Sequence, residues 1–368
     1  VFIVGSPRSG TSILAWCLGQ HPNLLPLEES NWLGKFAVDL GSTYALGVEH
    51  GRRSQLSAVG IDREQFYRSF GAMIDGLLLG TRAQLEQLSR AADEPRWPEL
   101  QISRSPDEPK KRCVDATPEY SFYVCGLLKL FPDARFIHIL RSVDAVAHSL
   151  LHFGRLGNRG YSPAESFDYW YRTVSACLLA EKALGGTTML RVEYEQLCAD
   201  PKRVLRDCLS FLDEPFCEVC LEPMQLRINS SHAAATAPAE PTTCDDEIAV
   251  RAAALWTQLK DQRFAKRPPD NAARQELESA FRERCVFVGD LDADRLRAIA
   301  ALDGMQQEME MHARSVLTLS VELEQARRRI EELEQVIAEQ SPTPADCVSE
   351  DSLPDDAAPE LSVATHLF

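Results

Sequence analysis

The sequence predicts an α/β fold, a parallel sheet flanked by helices, extended by a C-terminal coiled-coil helix and a disordered acidic tail. Three observations carry this reading. Short apolar runs that read as buried strands alternate with segments of helical periodicity, the pattern of βαβ units. Apolar positions from Leu302 to Ile337 recur at alternating spacings of three and four, as a coiled coil requires. Ser341 to Phe368 has prolines and acids but no lysine or arginine, a composition that buries too little apolar surface to fold.

The first strand and the loop after it organise the rest. Val1-Phe2-Ile3-Val4 is apolar, Gly5 to Ser12 combines two glycines and Arg8 with the hydroxyls of Ser6, Ser9, Thr11 and Ser12, and Ile13 to Leu18 begins a helix. This reads as strand, anion-binding loop and helix. The first amides of a helix lack intrahelical partners and carry partial positive charge, so a loop that points them at an oxyanion binds it. Gly5 and Gly10 let the backbone come close, and Arg8 adds a full charge. The spacing is P-loop-like, G-x-x-x-x-G-K-[ST], but Thr11 stands where the lysine belongs. A triphosphate would lose its main electrostatic support there. A plain Gly/Ser turn is the competing reading.

Further along, Gln20 to Asn23 ends the first helix, and Leu24 to Leu27 is a short extended segment that delivers Glu28 and Glu29 into a loop. Arg63 to Ala91 has helical spacing of apolar residues, and Asp93 to Arg112 reads as an exposed loop rich in proline and charge. Thr117 as N-cap and Pro118 at the first helical position predict a helix through Leu130. Arg135 to Leu140 is the best strand, turned by Arg141-Ser142-Val143-Asp144 into a helix. Tyr161 to Leu184 is helical, Thr187 to Val192 a strand, and Pro201 to Leu212 a helix. Ser230 to Thr243 is low in complexity and reads as a flexible loop or lid. The domains expected are a main domain over 1–235, a flexible loop and helical extension over 236–300, a coiled coil over 301–338 and the tail over 339–368.

Composition narrows the function classes. A chain of 368 residues with 45% hydrophobic content holds one sizeable core. A formal net charge of −16 opposes nucleic acid and anionic membranes as general partners, so an anionic cofactor needs a local basic pocket. Eleven irregularly spaced cysteines indicate reduced thiols rather than a disulfide framework. Cys217 and Cys220 form a C-x-x-C, but only Cys244 or His232 would complete a zinc site, so no metal is expected. No apolar run reaches the ~18 residues of a membrane span, which makes the cytoplasm the expected location. Glu322/Arg327 and Arg329/Glu334 are placed to pair across a parallel seam, so residues 302–337 are expected to form a homodimer.

The run Pro7-Arg8-Ser9-Gly10-Thr11-Ser12 resembles the 5′-phosphosulfate loop of sulfotransferases that use 3′-phosphoadenosine 5′-phosphosulfate (PAPS). Arg141, with Ser149 eight residues later, resembles that family's 3′-phosphate motif: a guanidinium fork on the anion and a hydroxyl two helical turns along. Arg191 to Leu197, including Tyr194, is similar to the strand-loop-helix that follows in many members, and Arg227-Ile228-Asn229-Ser230-Ser231 resembles the late cofactor loop. The resemblance covers about residues 1 to 235.

It implies sulfuryl transfer from PAPS to an acceptor hydroxyl without a metal, with Ser6, Arg8, Ser9, Gly10, Thr11, Ser12, Arg141, Ser149, Tyr194, Asn229 and Ser230 on the cofactor. Acids placed after the second strand supply the base in carbohydrate and tyrosylprotein members. This makes Glu29, then Glu28, the candidate base, with Arg8 on the leaving phosphate. The same branch implies a small-molecule or glycan acceptor, a carbohydrate or glycolipid hydroxyl before a steroid or phenol. Ala116 departs from the pattern, since many relatives carry a lysine there, and Lys110, Lys111 or Arg112 would have to substitute. His138, His148 and His152 read as structural. The alternatives are a nucleotide kinase and a non-enzymatic coiled-coil scaffold.

Overall fold

The computed structural model describes residues 1–91, 110–153, 160–225, 247–260, 262 and 267–340. The expected lid at Ser230 to Thr243, most of the Asp93 to Arg112 loop and the acidic tail lie outside the described residues.

The chain runs β1 (Phe2–Val4), α1 (Thr11–Gly19), β2 (Leu24–Pro26), α2 (Trp32–Val48), α3 (Gln55–Ala58), α4 (Arg63–Ala91), β3 (Arg112–Val114), a 3-10 turn (Pro118–Phe122) and α5 (Val124–Leu130). It continues through β4 (Phe136–Leu140), α6 (Val143–Phe153), α7 (Pro163–Leu184), β5 (Met189–Glu193), α8 (Tyr194–Ala199), α9 (Pro201–Phe211), α10 (Glu222–Gln225), α11 (Glu247–Leu259) and α12 (Asn271–Gln340). β1, β4 and β5 pair in parallel in the order β1-β4-β5, and β2 pairs in parallel with β3. The two pieces join where Phe2 bridges Asp115: Ile3 N–H donates to Asp115 O at 2.8 Å and Asp115 N–H to Val1 O at 3.0 Å. One all-parallel layer results, and the loops after its strands gather at one edge, where open α/β sheets place ligands.

β1 and β4 are short, predominantly apolar runs buried on both faces, as the centre of a parallel sheet requires; every residue of both is buried. On one face Leu14, Cys17 and Leu18 of α1 pack with Leu205 and Leu209 of α9. On the other, Tyr120, Leu127, Cys177 and Leu184 pack over Phe2 and Phe136. Helix α7 starts with a full capping box, Ser162 and Glu165 each satisfying the other's backbone N–H, and Pro163 opens it.

Two expectations change. The helix expected from Thr117 through Leu130 is broken: a 3-10 turn precedes α5, and the Thr117 hydroxyl caps neither but bonds Asp115 at 2.6 Å. The compact unit runs to Ala293 rather than stopping at 235, because Ala249, Ala252 and Leu259 of α11 pack on Trp170 and Val174, and Phe281 and Cys285 of α12 pack on Ala37 and Tyr67. The second unit begins at Asp294, and none of its described residues is buried. Among the described residues no helix is long and apolar enough to cross a membrane, and no group of three or more metal-ligating side chains is present.

Candidate functional site

The loop between β1 and α1 holds its shape through backbone conformations that cost energy. Gly5, Arg8 and Gly10 all have positive φ, and Arg8 at 68° is one of only three non-glycine residues in that region among those described. Its carbonyl oxygen accepts from Arg141 Nη1 at 2.9 Å, and its own Nε donates to Ser149 Oγ at 3.1 Å. Arg141, at the end of β4, stacks over the Tyr194 ring at 4.3 Å, and its own carbonyl accepts from the Trp170 indole at 3.1 Å. Tyr194 in turn fills the space beside Gly10, where a Cβ would sit 2.4 Å from the ring. Thus Arg8, Gly10, Arg141, Ser149 and Tyr194, separated by more than 180 residues in sequence, form one contact chain.

Burial of the Arg8 guanidinium and the neighbouring charge of Arg141 lower its pKa, while Glu29 acts in the opposite direction. Two arginines held this close call for an anion between them. The hydroxyls point the same way. Ser6 and Ser9 are 0% and 1% exposed, and their Oγ atoms have no hydrogen-bond partner. Buried hydroxyls are ordinarily satisfied, so orphans beside a helix N-terminus and two guanidiniums fit a phosphate-like ligand. Thr11 opens α1, buried, and Ser12 follows it in the first turn. Asn229 and Ser230 lie outside the described residues.

Glu28 and Glu29 follow β2 on accessible backbone. The Glu29 carboxyl is pushed above the usual carboxylate range, first by loss of water and then by Glu119, Asp115 and Glu28, while Arg8 pulls it back. Glu29 and Arg8 therefore share one electrostatic neighbourhood. Glu119 is held by the Tyr169 hydroxyl at 2.7 Å. Two of the cations offered as replacements for the lysine missing at Ala116, Lys110 and Arg112, bond backbone carbonyls. Lys110 is buried and donates to the carbonyls of Gly19, His21 and Leu24 at 3.3, 3.4 and 2.7 Å, closing the C-terminal end of α1. Arg112 bonds the Leu212 carbonyl and lies 3.8 Å from Glu214.

His138 sits fully buried in β4, with Nδ1 2.6 Å from Glu181, which also pairs with Arg191. Burial alone would lower the His138 pKa, but Cys177 and Glu181 outweigh it and raise it to about 9.

Residues 1–218 match the model of the sulfotransferase family. The chain belongs to that family. A protein-tyrosine sulfotransferase of Drosophila melanogaster is 23% identical over 224 residues, covering 60% of this chain and 39% of the fly protein. Protein-tyrosine sulfotransferase 1 of Danio rerio is 23% identical, covering 61% and 56% of the two chains. The nodulation protein NoeE of Sinorhizobium fredii is 27% identical over 149 residues, 40% of this chain and 30% of NoeE. The chain thus spans less than two thirds of the length of each of these relatives. Among solved structures, the sulfotransferase domain of a Synechococcus olefin synthase aligns at 23% identity over 76% of this chain and 93% of that one, with a TM-score of 0.38. A mouse sulfotransferase complexed with PAP aligns at 16% identity over 81% and 88%, with a TM-score of 0.33.

Of the residues singled out by this family's pattern, Arg8, Gly10, Arg141, Ser149 and Tyr194 are linked by contacts, and Glu29 feels the charge of Arg8. Missed in the sequence were Asp115, Tyr120 and Ser121, which tie the loops together. Their signal is tertiary, since each partner lies more than 80 residues away.

Proposed function

We propose that the chain transfers a sulfuryl group from PAPS to an acceptor hydroxyl, with Glu29 as base. The observation that supports this best is the pair of buried, unpartnered hydroxyls of Ser6 and Ser9 in the loop that carries Arg8 and whose backbone Arg141 holds. PAPS would supply the sulfuryl group and a phosphate leaving group. The chain's residues would do the rest. The amides and hydroxyls from Ser6 to Ser12 and the Arg8 guanidinium hold the 5′ side and stabilise charge as it develops there. Arg141 and Ser149 hold the 3′-phosphate, and Tyr194 keeps Arg141 in place. Glu29 accepts the acceptor's proton, and its raised pKa makes it a stronger base than an ordinary glutamate. Arginine at position 8 holds oxygens rather than giving up a proton. The acceptor is a small molecule or a glycan, a carbohydrate or glycolipid hydroxyl by the family resemblance. No part of this scheme calls for a metal.

The decisive experiment combines calorimetry with turnover. Adenosine 3′,5′-bisphosphate (PAP) should bind without added metal, and Glu29→Gln should bind it equally well while losing about 100-fold or more in rate. Absence of PAP binding at millimolar concentration overturns the reading.

The same chain is proposed to pair with a second copy through residues 302–337. Leu302, Met305, Met309, Val316, Leu319, Leu323, Ile330, Leu333 and Ile337 repeat on one side of α12, and each is 49–69% exposed in the single chain. β-Branched residues at Val316, Ile330 and Ile337 alternating with Leu319 and Leu333 suit a parallel two-stranded coil. Sedimentation should give a dimer that Leu323→Lys dissociates; a monomeric wild type refutes the pairing.

A further inference from the structure

The loop that carries Glu29 is held by a closed set of hydrogen bonds whose direction is fixed by one carboxylate. Asp115, at the end of β3 and 1% exposed, accepts through Oδ1 from the Thr117 N–H at 2.9 Å and the Thr117 hydroxyl at 2.6 Å. Its Oδ2 accepts from the Ser30 hydroxyl at 2.7 Å. With its hydroxyl proton directed at Asp115, Thr117 Oγ1 accepts from the Ser30 N–H at 3.0 Å. Ser30 Oγ, already donating, is left only to accept, so the Tyr120 hydroxyl donates to it; Tyr120 then accepts from the Leu33 N–H at 3.0 Å. The Thr117 and Ser30 protons both go to Asp115, which leaves only lone pairs, on Ser30 and on Thr117, to receive the Tyr120 proton. The three hydroxyls and three amides are ordered because Asp115 is acceptor-only.

The same short segment grips the anion loop. Ser121 Oγ donates to the Pro118 carbonyl at 2.7 Å and accepts from the Gly5 N–H at 3.0 Å. The backbone of Asp115 is bridged to β1 itself. Residues 115–121 thus touch both the loop that binds the donor and the residue directly after Glu29.

We propose that Asp115, acting through Thr117, Tyr120 and Ser30, is a positioning residue for Glu29, and that this bracket sets the place of the base relative to the phosphate loop. The inference rests on Glu29 being the base. It differs from a general packing role because Ser30 adjoins Glu29 in the chain and bonds Asp115 and Thr117 through both its hydroxyl and its N–H. Asp115 also contributes, with Glu119 and Glu28 and against Arg8, to the raised pKa of Glu29.

Asp115→Asn keeps the shape and breaks the order. Its amide group must present a donor either to Thr117 or to Ser30. If it faces Ser30, that hydroxyl turns toward Tyr120 and displaces the Tyr120 proton from its acceptor. The rate constant kcat should fall about 10- to 100-fold, with PAP affinity by calorimetry within about twofold of wild type. Two readouts separate positioning from loss of structure. Hydrogen exchange should speed up about tenfold or more at the peptide containing Ser30 to Leu33 and stay unchanged at Gly5 to Ser12. In a double-mutant cycle, Glu29→Gln with Asp115→Asn should be no slower than Glu29→Gln alone, since Asp115 works only through Glu29. The acid limb of the kcat profile should also move to lower pH in Asp115→Asn. Full additivity in the cycle, or unchanged exchange at Ser30 to Leu33, overturns the inference. A wild-type rate in Glu29→Gln instead overturns the base reading, and the exchange data then report on the bracket alone. Should Asp115→Asn not fold, Tyr120→Phe removes a single hydroxyl from the same bracket and enters the same cycle.

Discussion

Gly10 is the position where backbone, packing and ligand binding meet, so Gly10→Ala is the sharpest single test of the site. Its φ is 101° and ψ 19°, a conformation that L side chains avoid at a cost of about 1–2 kcal/mol. The new methyl would sit 2.4 and 2.7 Å from two Tyr194 ring atoms and 3.3 Å from Ile139 Cδ1. None of these positions is tolerable, and the ring has to move. Forcing a methyl into a packed site costs typically ~1–3 kcal/mol, so the variant should lose about 2–5 kcal/mol of stability. At ~2–4 °C per kcal/mol for a unit of this size, the melting temperature should fall by about 4–20 °C. Displacing Tyr194 also removes the surface on which Arg141 lies at 4.3 Å. A partly desolvated cation–π contact is worth ~1–2 kcal/mol, and a guanidinium out of line loses part of a charge-assisted bond of ~1.5–3 kcal/mol. Together these weaken PAP binding by about 2 kcal/mol, close to 30-fold. Titration calorimetry and thermal melts read both numbers. Gly76→Ala serves as the control, since it lies in α4 with nothing within 4 Å of its Cβ position. It should be neutral or slightly stabilising. A Gly10→Ala protein that binds PAP within twofold of wild type would refute the link from Gly10 through Tyr194 to Arg141.

Further tests separate structural cations from functional ones. Lys110→Met should lower stability by about 1–3 kcal/mol, because three carbonyls from the end of α1 to the start of β2 lose their buried donor. PAP affinity should stay unchanged, as read by chemical denaturation and calorimetry; a large loss of affinity would return Lys110 to the site. The buried group of His138, Glu181 and Arg191 gives a pH signature. With its folded-state pKa raised to about 9, His138 contributes stability that is full below its unfolded value of ~6.5. That contribution is lost as pH rises through about 9. Glu181, held below the usual carboxylate range despite burial by its bonds to His138 and Arg191, contributes stability that is lost only as pH falls through its depressed value. Urea midpoints should therefore drop between pH 7 and pH 9.5 in wild type and lose that drop in His138→Gln. An equal drop in both proteins refutes the assignment.

The strands that carry the site were legible because they are short, apolar and buried on both faces. The anion loop was legible because its glycines and hydroxyls stand at fixed spacing. Elements whose cause is tertiary were not. β3 is three residues, Arg112, Cys113 and Val114, with a charged start, and it exists because β2 and β1 lie on either side of it. Helix α2 went unread because Gly34, Gly41 and Gly47 interrupt its helical signal, yet each glycine admits a neighbour: Tyr123, Cys285 and Leu56 would each lie within 2.6 Å of an added Cβ. Thr117 carries the composition of an N-cap, and Pro118 follows as at a helix start. Asp115, two residues earlier, offers the hydroxyl a stronger, ionised acceptor. Propensity yields there to a bond that sequence spacing does not reveal.

In the proposed reaction Arg8 joins the two halves of the chemistry. A base that starts low in pKa holds a proton poorly, and one pushed up without limit stays protonated near neutrality. Around Glu29, lost water and the carboxylates of Glu119, Asp115 and Glu28 push upward, while Arg8 alone among the principal influences pulls down. The same guanidinium lies in the anion loop, anchored on Ser149 through Nε and braced by Arg141 at its carbonyl. An anion bound in that loop would neutralise part of the Arg8 charge and so raise Glu29 further. Base strength would then be greatest when the donor is in place, an electrostatic coupling that needs no movement of the backbone.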